Sequence, residues 1–293
     1  MTGIAALFPG LNSIFRERDR QRHSTLPEVA GRLSEVSRIG FKGAATKSTE
    51  RLLSENDFAA LAALTIAVQC GLYDRLCKGG VRPDILAGCS LGDIARSVCS
   101  GAFDYVEALE FLAGLQEQAH LLGPMGMHVA VRMPPGVPLN HELMSIFRAS
   151  NLEPSVLSAR HLTFGCDRAG FKRLEAICGA RGLFLKDTEV PYPLHSSLMQ
   201  PVIERYWRHV RYQPGILRTA AYSSVQLRRL DSVADIVDDA RQVIARPLHW
   251  PETLRRLREE EGISRFINIG PCKSLLLLMR ETDRRLVIET MAA

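Results

Sequence analysis

Hydrophobic positions along the chain alternate between two spacings. A buried-strand run, Gly3–Phe8, opens the sequence and stops at Pro9-Gly10, a turn pair. Arginine-rich polar sequence follows, and then helical spacing over 26–41 and 48–80. In the second of these, Leu52, Leu53, Phe58, Leu61, Leu64, Ile66, Val68 and Leu72 recur at helical positions up to the stop at Gly79-Gly80. A short strand is predicted over 84–87. Helices are predicted over 93–99 and over 103–122, the latter with Asp104 as N-cap. Beyond 123 the pattern reads strand (127–133), helix (141–149), strands within "SVLSARHLTFGC", helix (171–180) and strand ("GLFLKDTEV"). That β-α-β-β-α-β order predicts a small ferredoxin-like subdomain over 124–193. Helices over 196–211, 231–245 and 251–260 and a strand over 217–225 complete the expectation, with a final strand–turn–helix in "SRFINIGPCKSLLLL". The fold class is therefore α/β: a large domain over 1–123 and 194–293, interrupted by the small one.

Composition narrows the class further. The chain has 293 residues, 46% hydrophobic and 24% charged, enough for a packed core. No apolar run approaches the roughly 20 residues of a membrane span, and "GIAALF" lacks the basic lead of a signal peptide. Seven cysteines with no paired spacing read as reduced thiols, hence a cytoplasmic protein. A net charge of +5 is too mild for a nucleic-acid binder but suits an acidic partner. The run "FRERDRQRH" reads as a solvated surface segment.

The chemistry-bearing motif is "GCSLGD", in which Gly88-Cys89-Ser90-Leu91-Gly92 is a G-x-S-x-G pentapeptide between a strand and a helix. That context is a nucleophile elbow: glycines admit the sharp turn, and Ser90 stands at its tip. The N–H of Leu91 opens the following helix and faces a developing oxyanion. Cys89, at the flank, is a weaker alternative nucleophile. Of eight histidines, those at 23, 120, 128, 141, 161 and 209 lack catalytic context. His195, in "VPYPLHSSLM" where the chain re-enters the large domain, is the favoured base, and His249 in "ARPLHWPET" its competitor.

Read in order, "FPG", "GCSLGD", "HSSLM", "ARPLHW" and "INIGPCKSL" resemble the malonyl-CoA:acyl carrier protein transacylase family, which includes polyketide synthase acyltransferase domains. The resemblance spans nearly the whole chain. It implies an α/β-hydrolase-like domain carrying the ferredoxin-like insertion and a Ser90–His195 dyad. It also implies an oxyanion hole of the Leu91 and Leu11 N–H groups, and a base oriented by a backbone carbonyl in the "YSS" stretch, around Ser223 and Ser224. An ordinary α/β-hydrolase fits less well, because that fold places its histidine after the acidic residue and near the chain end.

The departures carry the substrate expectation. Cys89 replaces the family's histidine, Asp93 its glutamate, Leu11 a glutamine, and Ala62 a pocket glutamine. Where malonyl users carry an arginine, this chain has Leu115 or, with a slip of one, Gln116. A malonyl carboxylate needs a cationic partner when it leaves water. Arg132 or Arg160 could supply one only from the small subdomain. The expected acyl group is therefore neutral, moved from a coenzyme A or phosphopantetheinyl thioester to an acyl carrier protein. The alternatives are hydrolysis of stalled acyl chains, conventional malonyl transfer, and an inactive carrier-docking module. No metal or bound cofactor, no nucleic acid and no membrane is implied, and a monomer is expected. The acidic carrier would dock on arginines at 16, 18, 20 and 22, around 205–211, and at 228 and 229.

Overall fold

The computed structural model describes residues 3–10, 17–39, 41, 43–208, 213–270, 273–283 and 286–291. Twelve helices and ten strands are assigned among them. The large sheet is built from β1 (Gly3–Phe8), β2 (Ile85–Gly88), β7 (Ala220–Tyr222), β8 (Arg229–Leu230), β9 (Ile263–Asn268) and β10 (Ile288–Thr290). Its order is β10-β9-β1-β2-β7-β8. All pairings are parallel except β7 with β8. The central strands are continuous apolar runs because helices cover both faces: Ala5, Ala6, Leu7, Phe8, Ile85, Leu86 and Ala87 are fully buried.

One face packs against α2 (Pro27–Ile39), α4 (Phe58–Lys78), α5 (Leu91–Cys99), α6 (Tyr105–Leu122) and α9 (Gln200–Trp207). The other packs against α11 (Trp250–Glu259), anchored by buried Trp250, Leu254 and Leu257. By length and hydropathy α4, with 21 residues, is apolar enough to cross a membrane, a length the sequence reading did not find. It is instead a core helix, with 83% of its apolar stretch buried in the protein. Helix α6 starts where expected: Asp104 accepts the Val106 N–H at 2.8 Å, and Glu107 returns a bond to the Asp104 N–H, a capping box.

A second, four-stranded antiparallel sheet lies between α6 and α9 in the chain. Its strands are β3 (Met127–Arg132), β4 (Ser155–Val156), β5 (His161–Cys166) and β6 (Phe184–Val190), in the order β4-β5-β3-β6. With α7 (His141–Ala149) and α8 (Arg168–Arg181) it forms a β-α-β-β-α-β unit around its own core of Val129, Val131, Phe147, Leu162, Phe164 and Leu174. It meets the large sheet's surroundings where the Val156 N–H donates to the Leu248 carbonyl at 2.8 Å and the Leu248 N–H to Ser155 Oγ at 3.0 Å.

Several elements differ from the sequence reading. The strand over 217–225 shortens to β7, because Ser223 and Ser224 turn away from the sheet and β8 returns antiparallel. The helix over 196–211 begins as a 3-10 turn, Ser197–Met199, and becomes α-helical only where Pro201 occupies the first turn of α9. In α1 (Glu17–Ser24), Arg20 and His23 are buried, 6% and 3% exposed, so that run is not a fully solvated face.

Candidate active site

Ser90 stands between β2 and α5 with φ 61° and ψ −120°, a region non-glycine residues rarely occupy. The flanking glycines make this possible by close approach. A Cβ on Gly88 would lie 2.3 Å from the Asp93 nitrogen, and one on Gly92 only 1.9 Å from the Phe8 carbonyl oxygen. Gly10, after β1, abuts the same turn: its Cβ would meet the Cys89 carbonyl at 2.7 Å. The β1 loop is held from behind by Gln69 of α4, whose amide donates to the Pro9 carbonyl at 2.7 Å. The Leu91 N–H belongs to the first turn of α5, where the helix offers no intrahelical acceptor. Leu11 lies outside the described residues.

Ser90 Oγ and His195 Nε2 are 2.7 Å apart. His195 is 5% exposed and also has positive φ, 59°. Two bonds to the C-terminus of α10 (Val233–Ala245) hold it there. Its backbone N–H donates to the Ile244 carbonyl at 2.8 Å, and its Nδ1 lies 2.6 Å from the Val243 carbonyl. A carbonyl can only accept, so Nδ1 carries the proton and Nε2 is free to accept from the Ser90 hydroxyl. The negative end of the helix also favours the imidazolium that forms when that proton moves. Burial acts the other way and pushes the His195 pKa down to about 4, against the raising effect of the Val243 bond, so the ring is neutral near pH 7.

This corrects the expected base-orienting group. Among the described residues His195 is held by the Val243 and Ile244 carbonyls rather than by Ser223 or Ser224, whose hydroxyls bond Asp239 and Asp93 respectively. Val243 does the work because its carbonyl has no helical partner. The residue four positions on is Pro247, which has no N–H. That proline was the one sequence signal for an unpaired carbonyl here. His249 does not compete for the role: its N–H donates to the Ser224 carbonyl, and its ring faces clefts that Ser90 does not line.

Two cavities meet at the Ser90–His195 pair. The first, about 780 Å³ including its mouth, is almost wholly apolar and is lined by Ala62, Leu91, Leu112, Leu115, Ala119 and Met199, among others. Gln116 also lines it, but its Oε1 is occupied by the Ala59 N–H at 2.8 Å, at the start of α4. Among the described residues lining it, no lysine or arginine is present. The second, about 1200 Å³, opens between β3, β5 and α12 (Lys273–Thr282) and is lined by Cys89, His128, Arg132, His161 and Glu281. Arg132 is thus on the far side of the pair from Leu115, and Arg160 is turned to the Met133 carbonyl at 3.0 Å. Cys89 is buried beside the nucleophile rather than at the tip of the turn.

Behind the pair, Asp93 is wholly buried three residues past Ser90, and its backbone N–H donates to the Ser90 carbonyl at 2.9 Å. Burial pushes its pKa up to about 7 despite the neighbouring Arg96. Of the arginines expected to dock a partner, Arg20 is buried and donates to the Lys47 carbonyl at 2.5 Å. Arg228 pairs with Asp235 at 2.6 Å, and Arg229 with Asp231 and Glu261 at 2.7 and 2.9 Å. Arg16 and 209–212 lie outside the described residues.

Comparison with known proteins places this geometry. The sequence profile of the acyl transferase domain matches residues 43–289. A malonyl CoA-acyl carrier protein transacylase of Bacillus subtilis is 28% identical over 310 residues, covering 98% of this chain and 92% of that one. Polyketide synthase GfsB of Streptomyces halstedii is 23% identical over 218 residues; the match takes in 70% of this chain but 4% of that much longer protein. Two solved structures share the fold at low identity. The malonyl-CoA:acyl carrier protein transacylase of Xanthomonas oryzae has a TM-score of 0.85 at 21% identity, over 100% of this chain and 96% of that one. A malonyl-transacylase in complex with a type II polyketide acyl-carrier protein has a TM-score of 0.80 at 20% identity, over 99% and 96%.

Proposed function

The chain belongs to the acyl transferase domain family, and from that premise we propose that it transfers a neutral acyl group from a coenzyme A or carrier-protein thioester, through an acyl ester on Ser90, to an acyl carrier protein thiol. The 2.7 Å contact between Ser90 Oγ and His195 Nε2, at the meeting point of an apolar and a mixed cavity, carries this reading. In the first half-reaction Nε2 takes the hydroxyl proton as Oγ attacks the thioester carbonyl. The carbonyl oxygen gains negative charge facing the Leu91 N–H at the positive end of α5. The C–S bond then breaks, and the departing sulfur takes the proton from His195. In the second half a new thiol gives its proton to Nε2 as its sulfur attacks the ester carbonyl, the acyl C–Oγ bond breaks, and Oγ takes the proton back from Nε2, regenerating Ser90.

The acyl chain fits the apolar cavity, and the thioester arm the wider one. A neutral chain is favoured because, among the described residues, the apolar cavity offers no cation beside Leu115 and Gln116. A malonyl group is the second reading. It is favoured by the names of the relatives, malonyl transacylases among them, of which one is solved with its carrier protein.

Intact-protein mass spectrometry after mixing with malonyl, acetyl and longer acyl thioesters, with and without an acceptor carrier protein, tests the reading. A neutral acyl adduct that Ser90→Ala abolishes, and that passes to the carrier, is expected. A malonyl adduct in preference to acetyl would overturn the neutral assignment. Loss of the adduct to water at the same rate with or without carrier would replace transfer by hydrolysis. No adduct from any thioester would leave a docking module.

A further inference from the structure

The chemistry above makes no use of a charged cluster buried behind the pair. Asp93 and Arg96 stand on α5, three and six residues past Ser90, and Asp239 stands on α10, four residues before Val243. All three are fully buried. Arg96 Nη2 donates to Asp239 Oδ2 at 2.9 Å, and Nη1 donates to the Tyr222 carbonyl at 3.1 Å and lies 3.3 Å from Asp93 Oδ1. Asp239 Oδ1 accepts the Ser223 hydroxyl and, at 3.3 Å, the Gln226 amide. Asp93 accepts the Ser224 hydroxyl at 3.4 Å, and its backbone N–H donates to the Ser90 carbonyl at 2.9 Å.

We infer that Arg96 and Asp239 are positioning residues that set the Ser90–His195 separation, an inference that rests on the dyad reading above. The ion pair joins the helix that begins at the nucleophile to the helix whose last carbonyls hold the base. Residues four apart on a helix share one face, so Asp239 sits one turn from the Val243 carbonyl on that rigid segment. At the other end, Arg96 stands on α5, less than two turns past Ser90. Apolar packing between α5 and α10 is non-directional and tolerates sliding. A buried guanidinium with fixed acceptors admits one register, because any slip leaves a charge unpaired in the interior. Ser223 and Ser224 therefore reach the base at one remove, through the carboxylates they bond.

The test compares Asp239→Asn with the double variant Arg96→Met/Asp239→Leu, which replaces the pair by apolar groups of similar size and guards against an unpaired buried charge. Single-turnover acylation of Ser90, the thioester KM, the thermal midpoint and the low-field proton signal of His195 Nδ1–H are read in each, well below the midpoint. A drop of about 100-fold in acylation rate is expected, the cost of roughly an ångström of misplacement. KM should stay within about twofold, and the Nδ1–H signal should shift or broaden. A folded variant, single or double, that acylates at the wild-type rate would overturn the inference, whatever its midpoint, and leave the cluster a purely stabilising one. Failure of the dyad reading looks different: wild-type adduct formation would then survive Ser90→Ala.

Discussion

Placing a cation in the apolar cavity is the most direct challenge to the proposed acyl selectivity. Leu115 is 9% exposed on α6 and shares that cavity with Ser90 and Ala62. A carboxylate brought there without a partner costs several kcal/mol, on the order of 2–7 for even a neutral polar group and more for an ion. A guanidinium about 4 Å from it, at an effective dielectric constant near 20, returns about 4 kcal/mol. Dehydration of the introduced arginine consumes part of this, and if half survives the gain is about 2 kcal/mol, or about 30-fold. Leu115→Arg should therefore raise malonyl over acetyl occupancy of Ser90 by about 30-fold. Equimolar malonyl- and acetyl-CoA would compete for the enzyme, with acid quench and intact mass as the readout. Gln116→Arg, one residue on, serves as the companion if the first variant loses stability. An unchanged ratio in both folded variants would refute the selectivity argument, since a cation lining the cavity would then be irrelevant to the choice of acyl group.

His195→Ala should slow Ser90 acylation by about 10²–10⁴-fold in a stopped-flow or quenched-mass assay; a wild-type rate would remove His195 as the base. With its pKa pushed down to about 4, His195 stays neutral at pH 5. Acylation should then fall by only about 10% from pH 7 to 5, whereas an ordinary histidine would give about a 25-fold loss. Stability follows His195 and His128 in the opposite sense to a salt-bridged histidine. His195 at about 4 and His128 at about 3 are both held below 6.5 by burial, so the unfolded chain binds protons first. Urea midpoints should thus drop as pH falls from about 6.5 toward 4, and a flat profile there would contradict the buried neutral rings. Gly92→Ala forces a Cβ within 1.9 Å of the Phe8 carbonyl, a backbone atom of the central strand. It should cost about 3 kcal/mol or more in chemical denaturation, with loss of acylation.

The sequence alone determined what short-range patterns encode. Gly88, Ser90 and Gly92 mark a strand–turn–helix because only glycine admits the two close approaches seen there. The order of periodicities beyond residue 123 gives the β-α-β-β-α-β unit, since period 2 and period 3.6 are local properties. His195 stood out by its place at a loop-to-helix junction. Other features needed the tertiary structure. Short strands such as β8 and β10, two and three residues long, carry too few positions to show a period and exist only where the sheet edge accepts them. Arg20 and His23 sit in a run that reads as solvated, and only packing buries them. The carbonyl that orients His195 is the clearest case. Every residue has a carbonyl, so no side chain distinguishes Val243; what selects it is that α10 ends there and the chain, 48 residues away, brings His195 against that end. Likewise Arg96 and Asp239, 143 positions apart, become one buried pair only when the two helices meet.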